Sequence, residues 1–432
     1  MHRKFVTVLF SIQLMWCMVT GGSAHAQTPG NDTLKLSLKE TEERFVNNNL
    51  ALIIQRYEIS QAQAQIITAR LFNNPDFNIA NGLYNPETKK YFDMSRNGGE
   101  YSAELSQLIL TAGKRNKNIQ LARINAEQAT YQFYDLMRTL KYTLRSDFYK
   151  IYFQQQSAGL YQEEINSLSS TLAVFKEQYK KGNIAQKEVL RIQSQLYALQ
   201  TEQNDLRDAM DDVQSELKLL IRVSPGLTIQ PQISTGSDSK PVLENIVYQR
   251  LLDSAYTHRA DLKSAGLGLE YSKLNLQLQK SMAIPDVSIS LAYDKQGSYI
   301  RNYTSAGIAF SLPFFNRNQG AIRQARIAVD ENKVQLQSQR EQVESELDNS
   351  YKSALRLERL DSSFDPKFKA DFNQLIGEVF KNYQRHNISL LEFLDFYESY
   401  KTNTLQFNML QLNRLTALEQ INFVTGTPFF NQ

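Results

Sequence analysis

Glu392 and Asp395 are the residues whose types and spacing come closest to a chemical site. They lie three positions apart just after a turn segment at residues 386–389, so a helix beginning there carries both carboxylates on one face. Repeated in several copies of the chain, this pair would form rings of negative charge that narrow a passage and attract cations. Carboxylates at a helix start also serve as caps and as partners of the helix dipole, so both interpretations stay open.

Catalytic chemistry has little support in the rest of the chain. A catalytic site needs a nucleophile, a base and an orienting group, or a cluster of metal ligands. His258 has no second histidine nearby, and glycine-rich phosphate loops are absent from the sequence. We therefore expect no enzyme, no cofactor and no chelated metal.

The N-terminus indicates export. A short basic start, His2 to Lys4, precedes an apolar run from Phe5 to Val19, and Ala24-His25-Ala26 fits the small-x-small rule for cleavage. The prediction is a signal peptide over residues 1–26. The one cysteine, Cys17, lies inside it behind bulky residues, so we expect no lipid anchor and no thiol in the mature chain.

The charge of the chain excludes one class of partner. The formal net charge is +3, and the signal peptide takes away two basic residues, so the mature chain is nearly neutral and offers no argument for nucleic-acid binding. No later stretch is long and apolar enough for a transmembrane helix, so any membrane crossing must use strands.

Four short segments alternate between apolar and polar residues, as strands with two different faces do. They lie near residues 76–84, 101–110, 286–294 and 303–312. One face of these strands, which we expect to contact lipid, carries Phe77, Ile79, Val287, Ile289, Leu291, Ile308 and Phe310. The other face is small or polar.

Long helical segments surround these strands, and their order occurs twice. Residues 38–71, 116–180 and 185–222 read as helices in the first half, and residues 242–282 and 319–384, with a break at Pro366, in the second. The stretch FKEQYKKGNIAQKEVL (175–190) aligns with VFKNYQRHNISLLEFL (379–394). We therefore predict two repeats, 27–223 and 242–432, joined by a linker at 224–241 that is rich in turn-forming residues.

Element lengths predict an oligomer. A helix of about 65 residues is close to 100 Å long, and two shorter helices laid end to end match it, so each half can build a wall two helices wide. Four strands cannot close a barrel, because the smallest membrane barrels have about eight. Three copies would supply about twelve strands and twelve helical columns around an open centre.

Together, the signal peptide, the duplicated halves, the paired strands and the Gly-Asn-Ile and His-Asn-Ile breaks resemble the TolC family of outer-membrane efflux ducts. The stretch SLPFFNRNQGAIRQAR (311–326) is similar to the heavy-metal and cation branch, the CzcC/CusC-like proteins. The resemblance implies a mainly α fold with a small β part, in which a trimeric 12-stranded β-barrel in the outer membrane of a Gram-negative bacterium continues into a coiled-coil α-barrel in the periplasm.

The resemblance also implies partners and sites. The partners are two further copies of the chain, a periplasmic adaptor, an inner-membrane transporter of the RND type and outer-membrane lipid. The adaptor would meet two helix-turn-helix tips, made of Gly182, Asn183, Ile184 and Ala185 and of His386, Asn387, Ile388 and Ser389. Asn183 with Gln186, and Ser389 with Glu392, are predicted to cap the helices that follow.

The function expected from this resemblance is a passive conduit that exports heavy-metal cations. Two alternatives stay open: a duct for drugs, other small molecules or a secreted polypeptide, and a periplasmic coiled-coil scaffold or adaptor that forms no channel. A scaffold explains the heptad spacing of the long helices but not four alternating strands in two matched pairs.

Overall fold

The computed structural model describes residues 33–233, 243, 246–296, 300–365, 367–385 and 387–430. The predicted signal peptide and residues 234–241 of the predicted linker lie outside these ranges, as do Pro366 and His386. Among the residues described, no helix combines the length and the apolar character needed to cross a membrane.

Nine helices make up most of the described part of the chain. They are α1 (Leu38–Asn48), α2 (Leu50–Arg70), α3 (Lys114–Lys180), α4 (Gln186–Ile221), α5 (Tyr248–His258), α6 (Ala260–Met282), α7 (Gln319–Ser363), α8 (Phe368–Gln384) and α9 (Leu390–Thr425). The strands are β1 (Thr33–Ser37), β2 (Asp76–Asn81), β3 (Tyr84–Asn85), β4 (Lys90–Tyr91), β5 (Tyr101–Ile109), β6 (Thr228–Gln232), β7 (Val287–Asp294) and β8 (Tyr303–Phe310).

Two helices predicted as continuous are each broken once. Asn49 ends α1 and begins α2, where its side-chain oxygen accepts from the Leu52 backbone N–H, and Arg259 separates α5 from α6. Both residues have extended backbone angles. Asn49 also donates to the Leu220 carbonyl at 3.0 Å, so a contact distant in sequence holds the first break. The Ser-x-x-Glu spacing of Ser37 and Glu40 predicts a capping box, and this box is present at the start of α1.

The four predicted strands form one antiparallel sheet in the order β2-β5-β7-β8. The hairpin of the first half therefore pairs with the hairpin of the second through β5 and β7. A two-residue hairpin, β3 with β4, extends the loop between β2 and β5. Part of the segment predicted as a linker is a strand. Residues 228–232 form β6, which pairs in parallel with β1 and buries Ile229.

The helices pack as four adjacent columns, two from the first half and two from the second. Both α2 and α4 pack on α3, whose 67 residues correspond to about 100 Å. On its other side α3 packs against α6 and α9 of the second half. These in turn contact α7 and α8, so the fourth column is a long helix interrupted between Ser363 and Phe368.

Three apolar clusters hold the columns together. One lies between α3, α4, α8 and α9 next to the helix turns, and we call it the tip cluster; it includes Leu168, Leu172, Ile192, Tyr383 and Phe393. A second joins α3 to the end of α4 and to α1, and a third joins α5, α7 and the end of α9. The core therefore runs as a seam between helices, as the heptad spacing of α3 predicts.

Candidate functional site: the helix tips and the exposed sheet face

The first tip is a Schellman turn centred on Gly182. Its φ is +79°, in the left-handed region that favours glycine. The Gly182 N–H donates to the Tyr179 carbonyl at 2.9 Å, and the Asn183 N–H donates to the Gln178 carbonyl at 3.0 Å. These two bonds satisfy carbonyls at the end of α3 and reverse the chain toward α4.

The second tip repeats part of this geometry. The Asn387 N–H donates to the Asn382 carbonyl at 2.9 Å, which corresponds to the bond made by Asn183. The side chains correspond as well, since Asn387 donates to the Asn382 side chain and Asn183 to the Gln178 side chain. His386, the predicted counterpart of Gly182, lies outside the described residues.

The two predicted helix caps have different outcomes. Ser389 caps α9, because its hydroxyl accepts from the Glu392 N–H at 3.2 Å. The cap predicted for Asn183 with Gln186 is wrong: Ala185 occupies the N-cap position of α4 without a side-chain bond. The Asn183 side chain instead turns back to Gln178 at 2.7 Å, because the Schellman turn places it beside the end of α3.

The structure brings the two tips together through Ile184 and Ile388. Both side chains are partly buried against the tip cluster. By contrast, Asn183, Ala185 and Asn387 are exposed. The exposed surface of the tips is therefore polar or small, and the two isoleucines belong largely to the packing beneath it.

Glu392 and Asp395 are both exposed on the first turns of α9. Between them, Phe393 is fully buried in the tip cluster, so the two carboxylates point away from the core of the chain. Glu392 contributes its backbone N–H to the cap, which leaves its carboxylate outside that interaction. Within the described ranges, no group of three or more His, Cys, Asp or Glu side chains is arranged to hold a metal ion.

The four-stranded sheet carries most of its apolar side chains on one face, with Gln107 and Leu108 of β5 as exceptions. Strand register places Phe77, Leu105 and Leu291 side by side, and likewise Ile289 with Ile308 and Val287 with Phe310. On the opposite face the same register aligns Ser106 with Ser290 and Ser288 with Ala309. Of the seven residues predicted to face lipid, Val287 is partly exposed. The other six have exposed side chains: Phe77, Ile79, Ile289, Leu291, Ile308 and Phe310.

Sequence reasoning missed the buried ion pairs that join the columns. Lys401 on α9 lies 3.0 Å from both Glu202 on α4 and Glu398 on its own helix, and its side chain is 6% exposed. Arg259 bonds Asp261 and Glu346 at 2.6 Å each. In the sequence, such a pair shows only as a charged residue at a position of the heptad that is normally apolar. The sequence does not indicate which residue of opposite charge pairs with it.

The chain is similar to known proteins in both sequence and architecture. Residues 43–221 match the family model described as outer membrane efflux protein. The chain is 22% identical over 325 residues to the cobalt-zinc-cadmium resistance protein CzcC of Cupriavidus metallidurans, covering 73% of this chain and 74% of the relative.

Solved structures share the fold at low sequence identity. The CmeC outer membrane channel of Campylobacter jejuni has a TM-score of 0.72 at 14% identity, covering 91% of this chain and 86% of that one. A structure of CusC has a TM-score of 0.72 at 15% identity, covering 90% and 92%. The family match covers residues 43–221 of the first half, and the shared architecture shows that the described part of the chain has the fold of the TolC-like channels.

Proposed function

We propose that the chain is the outer-membrane channel of a tripartite efflux system and passes heavy-metal cations out of the cell. The observation that carries this proposal is the sheet, whose exposed apolar face spans four strands at the end of helical columns about 100 Å long. An apolar face of this extent on an exposed sheet needs an apolar environment, which outer-membrane lipid supplies.

A trimer follows from the edges of the same sheet. Among the described residues, β2 and β8 each pair on one side only. Open edges in lipid would leave backbone N–H and C=O groups unpaired, at a cost of several kcal/mol for each. Pairing β8 of one copy with β2 of the next removes both edges, and three copies join about twelve strands and twelve columns around one passage.

The partners and the cargo rest on the relatives. CzcC is named for resistance to cobalt, zinc and cadmium, and it supports divalent metal as the cargo here. The exposed tips support docking of a periplasmic adaptor, which would connect the duct to an inner-membrane transporter of the RND type. Energy for transport comes from that transporter in this proposal, and the duct itself opens and closes passively.

Charged substitutions on the two faces of β7 test the membrane assignment. Ile289→Lys places a charge on the apolar face, and insertion should weaken by about 2–4 kcal/mol near the bilayer centre. Ser288→Lys, on the next residue and the opposite face, is the matched control and should insert normally. The measurement is the amount of detergent-extracted trimer in outer-membrane fractions. Equal loss in both variants would contradict the face assignment, and a stable monomer that washes off without detergent would favour a periplasmic scaffold.

Growth assays test the cargo. Cells lacking the gene should become sensitive to cobalt, zinc or cadmium, and the complementing gene should restore growth. Unchanged metal tolerance together with new sensitivity to antibiotics or dyes would assign the duct to drugs instead.

A further inference from the structure

Glu164 is the most anomalous charged side chain in the described part of the protein. It lies on α3 beside the tip cluster, and only 2% of it is exposed. Neither carboxyl oxygen has a hydrogen-bond partner among the described residues. Buried polar atoms are nearly always hydrogen-bonded, so an exception of this kind requires an explanation.

The charges around Glu164 do not compensate for a buried carboxylate. The ammonium of Lys401 acts on Glu164, but its side chain already bonds Glu202 and Glu398 at 3.0 Å each. An ionised Glu164 would be a third carboxylate around one ammonium. Like charges in a poorly solvated site disfavour ionisation, so the neutral acid is the form that this environment accepts.

The titratable groups facing Glu164 come from all three helices packed around it. They are Tyr161 and Glu163 on α3, Glu202 on α4, and Tyr397, Glu398, Tyr400 and Lys401 on α9. Burial raises the pKa of Glu164 to about 8; Lys401 acts against this shift, and Glu398, Glu202 and Glu163 add to it.

We propose that Glu164 is a proton-binding site, and that the bound proton holds α9 against the α3–α4 hairpin near the tips. At neutral pH the three helices pack around a neutral acid. When the proton leaves, a charge with no hydrogen bond remains between them, and the contact next to the tips loosens. The inference concerns this chain's packing and holds whatever cargo the duct carries.

The pH dependence has a definite sign. The pKa of Glu164 in the folded protein, about 8, lies above its ordinary value of 4.5, so opening this region releases a proton between those limits. Stability of the contact is therefore greatest in acid, falls as pH rises through that window, and becomes independent of Glu164 above the folded value. Across the window, the local opening constant should rise by about tenfold per pH unit.

Glu164→Gln tests the proposal, because glutamine keeps the size and removes the proton. The measurement is amide hydrogen exchange in the detergent-extracted trimer, corrected for intrinsic exchange, over residues 157–171 and 393–405. The parent protein should show the tenfold rise per pH unit, and Glu164→Gln should show none. Glu163→Gln, an exposed glutamate one residue earlier, is the matched control and should keep the slope of the parent.

Infrared spectroscopy reads the proton directly. At neutral pH the parent protein should show a C=O band from protonated carboxylic acids. Glu164→Gln should weaken that band by the contribution of one acid, while Glu163→Gln should leave it unchanged. Two results would overturn the proposal: the same exchange slope in the parent and in Glu164→Gln, or a carboxylic-acid band that the Gln variant leaves unchanged. If Glu164→Gln fails to assemble, Glu164→Leu provides a second non-titrating variant for the same comparison.

Discussion

Arg145 on α3 donates to both carboxylate oxygens of Glu419 on α9, each at 2.9 Å, across 274 residues of sequence. The same guanidinium bonds Glu42 on α1. The side chains of Arg145 and Glu419 are 8% and 2% exposed, so this pair is buried where the two halves of the chain meet. Because α3 belongs to the first half of the chain and α9 to the second, this ion pair connects the two halves directly.

Arg145→Met should destabilise the protein strongly. The variant removes both guanidinium hydrogen bonds from a buried glutamate, and breaking such a pair from one side costs about 3–5 kcal/mol. Lys141→Met is the matched control, since Lys141 bonds the same Glu42 but is 41% exposed, so its loss should cost about 0–1 kcal/mol. Thermal unfolding of the detergent-extracted protein measures both; equal transition temperatures would contradict a structural role for the pair.

Two glycines of the first half should respond to alanine in opposite directions. Gly182→Ala forces a side chain into the left-handed region at φ +79° and should destabilise the first tip by about 1 kcal/mol. Gly159 lies inside α3 with open space where a Cβ would lie, so Gly159→Ala should stabilise by about 0.5–1 kcal/mol. Gly182→Pro should be worse than Gly182→Ala, because proline removes the N–H that bonds Tyr179. Unfolding free energies should rank the proteins, from most to least stable, as Gly159→Ala, parent, Gly182→Ala and Gly182→Pro.

Adaptor docking is best tested at Ala185. This residue is exposed and caps α4 without a side-chain bond, so Ala185→Arg should leave folding unchanged. If the tip is a docking hot spot, adaptor binding should fall by about 2 kcal/mol or more, with loss of export.

Two comparisons make the docking test decisive. Ser169→Arg, exposed on α3 about three turns before the tip, should leave cross-linking to the adaptor intact. Ile184→Asp with Ile388→Asp should lose both export and tip stability, since both side chains pack on the tip cluster. Normal adaptor cross-linking in Ala185→Arg would place docking elsewhere.

Removing the carboxylates of Glu392 and Asp395 should raise passive leakage if they ring the passage. The double alanine variant keeps the Ser389 cap, which uses the backbone N–H of residue 392, so the trimer should stay intact. Single-channel conductance in planar bilayers should rise and cation selectivity should fall. Asp371→Ala with Glu378→Ala, which removes two exposed acids from the neighbouring α8, should change neither property.

Asp147 should make stability depend on pH. Burial first, and Glu216 second, raise the pKa of this carboxyl to about 7 from the ordinary 3.8, against the effect of Lys150. Unfolding therefore releases a proton between these values, and stability falls as pH rises through them. Asp147→Asn should reduce this fall and leave the share that Glu164 supplies, whereas Asp211→Asn, on exposed surface, should not change it. The measurement is the difference in unfolding temperature between about pH 5 and about pH 8, compared among the parent protein and the two variants.

Elements with local signals were predictable from the sequence. Period-two alternation identified β2, β5, β7 and β8 to within a few residues, and the capping box at Ser37 and the cap at Ser389 form as expected. The turn at Gly182 also follows from its residue type, because glycine tolerates positive φ. These signals act within a few residues, so the amino-acid order alone contains them.

Contacts between distant segments required the tertiary structure. Neither Asn49 nor Arg259 is a strong helix breaker, yet each separates two helices, and Asn49 is held there by a bond to Leu220. The same limit applies to the packing of second-half helices against α3. It applies also to Ile184 and Ile388, which the sequence suggests as exposed docking residues but which pack on the tip cluster.

Sequence by itself therefore determined the long helices, the four strands of the main sheet and the residue types at the turns of this protein, because propensity, periodicity and capping are short-range. Only the tertiary structure decided which carboxylates are buried beside which cations, as at Glu164 and Lys401 or at Arg145 and Glu419. The physical reason is that desolvation and ion pairing depend on the neighbours that packing brings from other columns, and those neighbours lie up to hundreds of residues away in the chain.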